Sequence, residues 1–546
     1  MNKLFKKIVD TLHPQLRELG VSENIDFSIS KLPDWDLQIN HLIKYKSDKA
    51  YEDIVNEVTT VLKSTNYFRE VELTDVGFIN LKLNHKYLSS ILTNQSNDFQ
   101  VSKPLKIIID YGGPNLGKPL HVGHIRTLNI GRSLYNMNKF VGNTIVSDLH
   151  LGDWGMPISQ IITYLEKMNI DIKALNVKQL ETIYPIASKN YRDDDDFKTH
   201  AQEINKLLNK NDQKLMKKWK ALKNISIKSL EENFKILNHS FDYWLGESDV
   251  NNIIPKMIEN LIEEKKVIND SGALVSTQNT EPKILITKSD GSYLYITTDL
   301  ATILYRQEKI GYDKTFYIVD NRQSLHFKQL FDSIEYFKFN NLYHEHISYG
   351  TMNDGEGNPF KTRDGGTKPL KELYDETYMY IQKINNSLSE SIIKNLTNSV
   401  LTYSDLITNR KTDYKFDIQK FTNVNGKTGI YIQYSQVRAK KLLDNMEFHE
   451  KKYEELVLNK LDKNLLSKLM LFGYYLEQSA SQKEPHHLAN YIYEISNLFN
   501  QFYEDEKISD LNNENHVYSK LFLTKLFLTT SHNVMFCLGI VPVDEM

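Results

Sequence analysis

The chain has 546 residues, of which 40% are hydrophobic and 25% are charged. It is therefore too long for one hydrophobic core and too apolar for a disordered polypeptide, and about two to four domains are expected. Its single cysteine, Cys537, excludes a disulfide framework or a multi-cysteine zinc site. The chain shows neither a signal peptide nor an uninterrupted apolar run of about 18 residues, so we expect a cytoplasmic protein without membrane segments.

Residues 1–100 predict a small α+β domain. Helix-like segments there alternate with a predicted strand pair at residues 68–73 and 77–83. Phe78 and Asn80 lie in the second of these strands. Considered alone, Phe78 is equally well explained as a core residue and Asn80 as a polar residue at a strand edge.

Residues 106–126 contain the most informative pattern of the chain. Three consecutive isoleucines at 107–109 are typical of a buried central strand. Gly112, Gly113 and Pro114 end that strand, and apolar residues then recur at helical spacing. A strand, a glycine-rich turn and a helix N-terminus together form a natural phosphate site, since free backbone N–H groups and the helix dipole both favour anions.

Two histidines stand where that helix is predicted to begin. His121 and His124 can donate hydrogen bonds to phosphate oxygens, and Gly123 between them leaves room for a base and a ribose. The segment therefore predicts an ATP site. A His-x-Gly-His sequence alone is a weak signal, because histidines on a helix are more often surface or packing residues.

Residues 101–390 show the alternation of strands and helices of a Rossmann-type parallel-sheet domain. A helix-rich insertion is predicted at about 170–280, since that span exceeds an ordinary crossover. The sheet is predicted to resume with the apolar runs at 283–286 and 316–320. The overall fold class is thus α/β, with the small α+β domain before it.

Residues 391–546 predict an all-helical domain. Apolar side chains recur at helical spacing in two stripes, which we interpret as core. These stripes consist of Leu465, Leu469, Phe472 and Leu476, and of Leu488, Ile492, Ile495, Phe499 and Phe502.

Three places in the middle domain offer groups that could select a guanidinium. A guanidinium presents five donors in a planar fork, so its site needs carboxylates and planar acceptors. Asp110 ends the first strand, and Tyr295 and Asp299 fall on one face if their segment is helical. The polar stretch 320–326 follows a strand, near the edge where α/β folds bind ligands.

Together these segments resemble the class I arginyl-tRNA synthetases. The first block of the resemblance consists of Asp110, Tyr111, Pro114, Asn115, Lys118, Pro119, His121, Val122, Gly123, His124 and Arg126. A second block spans residues 148–155, and a Gly-Glu-Ser block lies at 246–248. The resemblance continues in order to Met546.

The resemblance implies an arginine-binding role for five residues. Tyr295 and Asp299 match residues that hold the guanidinium. Asn115 and Gln323 match residues that hold the amino and carboxylate ends of the substrate, and Asp110 matches an acidic position that helps to fix the α-amino group. Taken singly, each is better explained by a helix cap or a core side chain, and it is their occurrence together, in family order, that favours the site.

The loop that closes over the triphosphate in class I enzymes is degenerate here. No Lys-Met-Ser-Lys-Ser sequence exists, but residues 357–366 resemble the altered loop of many arginine enzymes. Lys361 and Arg363 could reach pyrophosphate oxygens, unless this is an ordinary solvated loop. Lys118, in the glycine-rich turn, is expected to supply the charge that the loop lacks, and the alternative is a solvated lysine.

RNA contacts are implied at both ends of the chain. Phe78 and Asn80 match positions that meet a D-loop base of the tRNA elbow. The block 429–438 resembles the helix that contacts the anticodon arm, which makes Tyr431, Gln433 and Arg438 candidate tRNA-binding residues.

The resemblance thus implies an enzyme that joins L-arginine to tRNA(Arg) through arginyl-adenylate, releasing AMP and pyrophosphate. ATP would enter with Mg²⁺, no protein-bound metal is implied, and family members are usually monomers. Two other functions share part of the pattern. A small cytidylyl or pantothenate-type ligase would lack the helical C-terminal domain, and a non-catalytic RNA-binding paralogue would tolerate loss of His121, His124 or Asp299.

Overall fold

The computed structural model describes residues 14, 16–20, 27–32, 34–47, 50–85, 99–278, 283–339, 341–360, 368–446 and 456–546. These residues divide into two compact units. The first contains residues 1–102, 140–142 and 423–546, and the second contains residues 103–139 and 143–422. The predicted domain limits at 100 and 390 stay a prediction, and the second compact unit continues to Thr422.

The N-terminal part of the first unit is a small antiparallel sheet with one described α-helix against it. Its elements are β1 (Ser28–Ile29), β2 (Leu37–Ile39), α1 (Tyr51–Ser64), β3 (Phe68–Leu73) and β4 (Ile79–Leu83). The strand order is β1-β2-β4-β3, so the predicted pair β3–β4 is confirmed. Because β4 lies inside the sheet, Asn80 is not at a strand edge, and that alternative explanation of the residue is wrong.

The second unit contains both helices and sheets. Its strands are β5 (Lys106–Tyr111), β6 (Thr144–Asp148), β7 (Val267–Asp270), β8 (Ala273–Ser276), β9 (Leu285–Thr287), β10 (Lys314–Ile318), β11 (Tyr343–His346), β12 (Met352–Asn353) and β13 (Tyr414–Lys415). Its helices are α2 (His124–Phe140), α3 (Met156–Lys167), α4 (Val177–Asp193), α5 (Asp195–Asn209), α6 (Gln213–Ile236), α7 (Glu247–Val250), α8 (Ile254–Glu263), α9 (Tyr295–Lys309), α10 (Ser324–Phe337), α11 (Leu370–Ile384), α12 (Glu390–Leu406) and α13 (Ile418–Phe421).

A four-stranded parallel sheet is the centre of this unit. Its order is β11-β10-β5-β6, and Ile109 of β5 pairs with Phe316 on one side and Ser147 on the other. All three isoleucines of β5 are buried, as a strand covered on both faces requires. The Rossmann-type parallel sheet is confirmed, and the three carboxyl ends of β10, β5 and β6 lie side by side.

One predicted strand belongs to a different sheet. The run near residue 285 forms β9, but β9 joins the antiparallel sheet β7-β8-β9 and not the parallel one. The prediction that the central sheet resumes there was wrong, because a three-residue apolar strand carries no sign of its pairing direction. Ile286 of β9 packs instead in a core shared with α8, α9 and α10.

The predicted insertion is rich in helices, as expected. Helices α3 to α6 surround a separate core made of Leu116, Ile158, Ile161, Ile162, Leu165, Ile172, Leu180, Ile183, Ile204, Leu208, Leu215 and Leu222. Leu116 comes from the turn that follows β5, so the insertion packs directly beside that turn.

The C-terminal part of the first unit is helical. Its α-helices are α14 (Gly429–Asn445), α15 (Lys460–Met470), α16 (Phe472–Gln482), α17 (His486–Asp505) and α18 (Glu514–Leu538). Both predicted apolar stripes are buried, which confirms them as core. Helix α18 has the length and mean hydropathy (1.2) of a membrane span, but 61% of that stretch is buried inside the protein, as in a core helix.

A buried ion pair joins α15 to α18. Lys520 donates to Asp462 at 2.7 Å, and neither side chain is exposed to solvent. The Lys520 ammonium also lies 3.2 Å from a Glu506 oxygen and over the ring of Phe502. Loss of one partner from such a pair leaves a buried charge without compensation.

We therefore expect Lys520→Met to lower the free energy of unfolding by about 3–5 kcal/mol. Lys525→Met, at an exposed position of the same helix, is the matched control and should change it by less than about 0.5 kcal/mol. Chemical denaturation of the full chain, followed by circular dichroism, measures both. Equal stability of the two variants would show that Asp462 does not depend on Lys520.

Candidate active site

The turn between β5 and α2 brings the two predicted histidines together. The ring centroids of His121 and His124 are 3.9 Å apart. Nδ1 of His124 lies 3.0 Å from the backbone nitrogen and 3.2 Å from the carbonyl oxygen of His121, so the two residues are in direct contact. A Cβ at Gly123 would stand 3.0 Å from the His121 ring, so glycine also makes room for that imidazole.

Both imidazoles are neutral at physiological pH. Burial, together with a smaller contribution from the neighbouring His121, lowers the pKa of His124 to about 3. The pKa of His121 is lowered by burial and then by the charges of Lys118 and Arg322. The two rings can therefore serve a phosphate as hydrogen-bond donors, while the positive charge comes from the lysine and the arginine.

The ends of the predicted closing loop are attached to the same turn. Lys361 and Arg363 lie outside the described residues, but the chain returns at Lys368, whose carbonyl accepts the N–H of Val122 at 3.0 Å. Leu370 then donates to the carbonyl of Leu120 at 2.8 Å.

Arg126 fixes the other end of that loop. Its guanidinium is buried and donates to the carbonyls of Gly350 (3.0 Å) and Thr412 (2.8 Å) and to the carboxylate of Asp405 (2.9 Å). Both ends of the segment 350–370 are thus bonded to residues 120–126, which carry the histidines.

A second buried arginine joins α9 to the sheet. Arg306 donates 2.5 Å hydrogen bonds to Asp110 at the end of β5 and to Asp148 at the end of β6. Burial alone would raise the pKa of Asp148, but Arg306 and His150 bring it below its ordinary value. Asp110, Asp148 and His150 resemble a set of metal ligands, yet Arg306 already supplies the positive charge at that place.

A large cavity of about 1640 Å³ opens beside α9. Its wall includes Trp154, Glu247, Tyr295, Thr298 and His326. Tyr295 begins α9 and is 73% exposed, and Asp299 lies one turn further along the same helix. The prediction that this pair shares a helical face is confirmed.

Among the described residues, neither Asp299 nor Glu247 forms an ion pair with a lysine or an arginine. Asp299 accepts a 2.6 Å hydrogen bond from Nε2 of His326 and is 30% exposed. Burial raises the pKa of Glu247 to about 7, and the charges of Asp153 and Asp299 act in the same direction. A planar cation that entered the cavity would meet the Tyr295 ring, the Glu247 carboxyl group and the imidazole of His326, which is hydrogen-bonded to Asp299.

Three further predicted residues, Asn115, Lys118 and Gln323, lie outside the wall of this cavity. Asn115 and Lys118 are exposed, and the Lys118 ammonium lies 4.9 Å from the ring centroid of Tyr184 in the insertion. Gln323 is exposed just before α10, after the carboxyl end of β10. The structure therefore places Tyr295 and Asp299 near Glu247 and His326, whereas Asn115 lies in the same β5–α2 connection as the histidines.

Helix α14 presents an aromatic and cationic surface. Arg438 lies against the exposed rings of Tyr434 and Tyr503, at 4.4 and 5.0 Å, and pairs with Glu504 at 3.0 Å. Tyr431 is half-buried next to Tyr493 on the same side.

Gln433 and Asn80 have inward-facing side chains. Gln433 is fully buried, donates to the carbonyl of Val541 at 2.7 Å and accepts from the N–H of Val543 at 3.0 Å, so it holds the C-terminal segment. Asn80 is 1% exposed and accepts from Gln38 at 2.7 Å. An RNA base could meet either residue only after these bonds break, whereas Phe78 is half-buried at the surface.

Comparison with known proteins identifies the family. The model described as the catalytic domain of class I (R) tRNA synthetases matches residues 87–418, and the model of the DALR anticodon binding domain matches residues 432–546. An arginine–tRNA ligase of Agathobacter rectalis is 34% identical over 96% of this chain and 97% of its own length. The chain belongs to the arginine–tRNA ligase family.

Other members of this family agree in sequence and fold. The arginine–tRNA ligase of Francisella tularensis subsp. novicida is 34% identical over 84% of this chain and 85% of its own. The crystal structure of arginyl-tRNA synthetase from Plasmodium falciparum has a TM-score of 0.85 at 24% identity, and that of Thermus thermophilus has 0.84 at 17%. Both cover 100% of each chain, and these two likenesses show the fold.

Sequence reasoning assigned no role to three residues of this arginine–tRNA ligase site. In the sequence, Glu247 is marked only by its place in the Gly-Glu-Ser block, and His326 only by its place at the end of the polar stretch that follows β10. Arg306 lies two helical turns after Asp299 on α9, and no pattern marks it, because its partners are distant in sequence.

The surface on α14 allows a test of anticodon-arm binding. Arg438→Ala should raise the KM for tRNA, whereas Glu504→Gln should lower it, since the glutamate competes with phosphates for the guanidinium. Aminoacylation with varied tRNA measures both, and the KM values for arginine and ATP serve as controls. If Glu504→Gln leaves the KM for tRNA unchanged or raises it, Arg438 does not contact RNA.

Proposed function

We propose that this chain attaches L-arginine to tRNA(Arg) in two steps. A carboxylate oxygen of arginine attacks the α-phosphorus of ATP, the bond to the β-phosphate breaks, and pyrophosphate leaves. The terminal ribose hydroxyl of the tRNA then attacks the carbonyl carbon of arginyl-adenylate, and AMP leaves with the bonding electron pair. Family membership, the histidine-bearing turn between β5 and α2 (the nucleotide turn, residues 112–123) and the Glu247 carboxyl group in the wall of the cavity support this proposal.

The cavity is the observation that carries the arginine specificity. Asp299 offers a carboxylate whose partner in the free protein is an imidazole, and Glu247 offers a second carboxyl group. Tyr295 adds an aromatic face and a hydroxyl. A planar five-donor cation satisfies several acceptors at once, which the compact ammonium of lysine cannot do.

The nucleotide turn is proposed to stabilise charge on the phosphates. His121 and His124 donate as neutral rings, and Gly123 admits the base and ribose. Lys118 adds a fixed charge at the helix N-terminus, and Lys361 and Arg363 are proposed to add more when their loop closes. Mg²⁺ enters with ATP as part of the substrate.

The remaining substrate contacts complete the proposal. Asn115 and Gln323 are assigned to the amino and carboxylate ends of arginine. Asp110 is assigned to the α-amino group through the oxygen that Arg306 does not occupy. Phe78 is proposed to meet the tRNA elbow, and Tyr431 and Arg438 the anticodon arm. The protein is proposed to act as a cytoplasmic monomer.

Pyrophosphate exchange with each of the twenty amino acids, with and without tRNA, tests the activity directly. Arginine alone should support exchange, and the resemblance implies that bound tRNA is required. Exchange with another amino acid, or none with arginine in the presence of tRNA, would overturn the proposal.

Asp299→Asn should weaken arginine selection, because it keeps the volume and removes the counter-charge of the guanidinium. We expect a fall in kcat/KM for arginine that corresponds to about 3–5 kcal/mol, with the ATP constant nearly unchanged. Asp332→Asn, at an exposed carboxylate on the rim of the same cavity, is the matched control. An equal fall in kcat/KM for arginine and for ATP would show that Asp299 does not belong to the arginine site.

Lys118→Ala should slow adenylate formation, because pyrophosphate departs from a site short of positive charge. The expected cost is about 2–4 kcal/mol in the transition state, with little change in arginine binding. Lys220→Ala, at an exposed lysine of α6, controls for loss of charge alone. Unchanged pyrophosphate exchange in Lys118→Ala would assign this task to Lys361 and Arg363.

A further inference from the structure

The Asp299 carboxylate is already hydrogen-bonded before any substrate is present. Nε2 of His326 lies 2.6 Å from Oδ2 of Asp299, and the two side chains are 27% and 30% exposed. Since a carboxylate can only accept, the imidazole donates. The contact occupies Oδ2 of Asp299, and no hydrogen bond from another described residue reaches Oδ1.

The position of the imidazole is set by packing. The His326 ring meets the Phe327 ring edge-on at 5.6 Å, and Phe327 stacks on His346 of β11 at 4.5 Å. His346 in turn donates to the carbonyl of Val319 at 3.0 Å. The donor that points at Asp299 is thereby tied to the edge of the central sheet.

We propose that His326 is the positioning residue of the guanidinium site, and that it loses a proton when the arginine cation binds to Asp299. The inference rests on the proposed function, because it takes Asp299 to be the guanidinium carboxylate. A cationic imidazole and a guanidinium on one carboxylate repel each other. A neutral imidazole still donates its Nε2 proton and leaves the full carboxylate charge to the substrate.

The surroundings of His326 support this exchange. The hydrogen bond to Asp299 raises the pKa of His326 above its ordinary value. From β11, His346 faces it, and burial holds the pKa of His346 below the usual range, so that ring stays neutral. From α7, Glu247 acts on the same carboxylate, and on α10 Lys328 and Asp332 lie at the cavity rim.

The direction of the pH effect follows from this arrangement. In the free protein Asp299 favours the protonated imidazole, whereas bound arginine disfavours it. Arginine binding is therefore weak at low pH and strengthens by up to about tenfold per pH unit, until the pH passes the pKa of His326 in the free protein. Glu247 also loses a proton when the arginine cation binds, so the proton released by Glu247 must be distinguished from the proton released by His326.

Isothermal titration of the full chain with arginine, in buffers of different ionisation enthalpy, counts the released protons. His326→Gln keeps a neutral donor and cannot release a proton, so below the pKa of His326 it should release fewer protons than the unmodified protein, with about one as the limit. The same difference should appear between Glu247→Gln and the double variant, which removes the contribution of Glu247. His200→Gln, at an exposed histidine paired with Glu166 at 3.1 Å, is the matched control.

Steady-state kinetics test the positioning role. Above the pKa of His326 the Gln variant should keep the arginine KM of the unmodified protein. His326→Ala should raise that constant several-fold with kcat and the ATP constant little changed. If the Gln variant does not melt cooperatively, His326→Asn provides a shorter neutral donor for the same measurements.

The outcomes separate the two proposals. Equal proton release with and without His326, or an arginine constant equally pH-dependent in His326→Gln, would overturn the inference while leaving the function intact. Normal arginine binding by Asp299→Asn would overturn the assignment of the guanidinium site itself. Loss of arginine binding in Asp299→Asn together with reduced release in His326→Gln supports both.

Discussion

The buried Arg306 guanidinium is the contact on which the geometry of this site depends. It joins α9, which carries Tyr295 and Asp299, to Asp110 and Asp148 at the ends of β5 and β6. Two carboxylates at neighbouring strand ends would repel each other in the interior, and one shared guanidinium removes that cost. Arg306 is thus a direct polar link between α9 and the carboxyl ends of β5 and β6.

Arg126, on α2, is a second buried arginine that joins distant segments, as Arg306 does. It donates to Gly350, Thr412 and Asp405 and so attaches the base of the closing segment to α2. Buried guanidiniums suit this task, because five donors in a rigid plane can satisfy several acceptors from distant parts of the chain. Gly350 and Leu370, on either side of this segment, are thereby bonded to the residues that carry the histidines.

The sequence predicted the elements with strong local signals. The isoleucines of β5, the glycine-rich turn and the start of α2 appear where the pattern indicated them, since a buried parallel strand and a helix N-terminus depend on adjacent residues. The pairing of β9 was missed, because strand direction is decided by partners far along the chain. The same reason hid Arg306 and His326, whose roles follow from contacts across 196 and 27 positions.

Charge in this site is arranged so that the substrate completes it. Burial lowers the pKa of the two histidines of the turn, which keeps them neutral, and burial raises the pKa of Glu247 to about 7. Asp299 accepts a hydrogen bond from an imidazole that can lose its proton. A permanent cation buried beside Asp299 would compete with arginine for the carboxylate, and a bare carboxylate would be costly to bury. A titratable partner avoids both costs, because it stabilises the empty site and becomes neutral when a guanidinium replaces its charge. Selection of arginine over uncharged amino acids then follows from the same exchange, since only a cation repels the proton from His326.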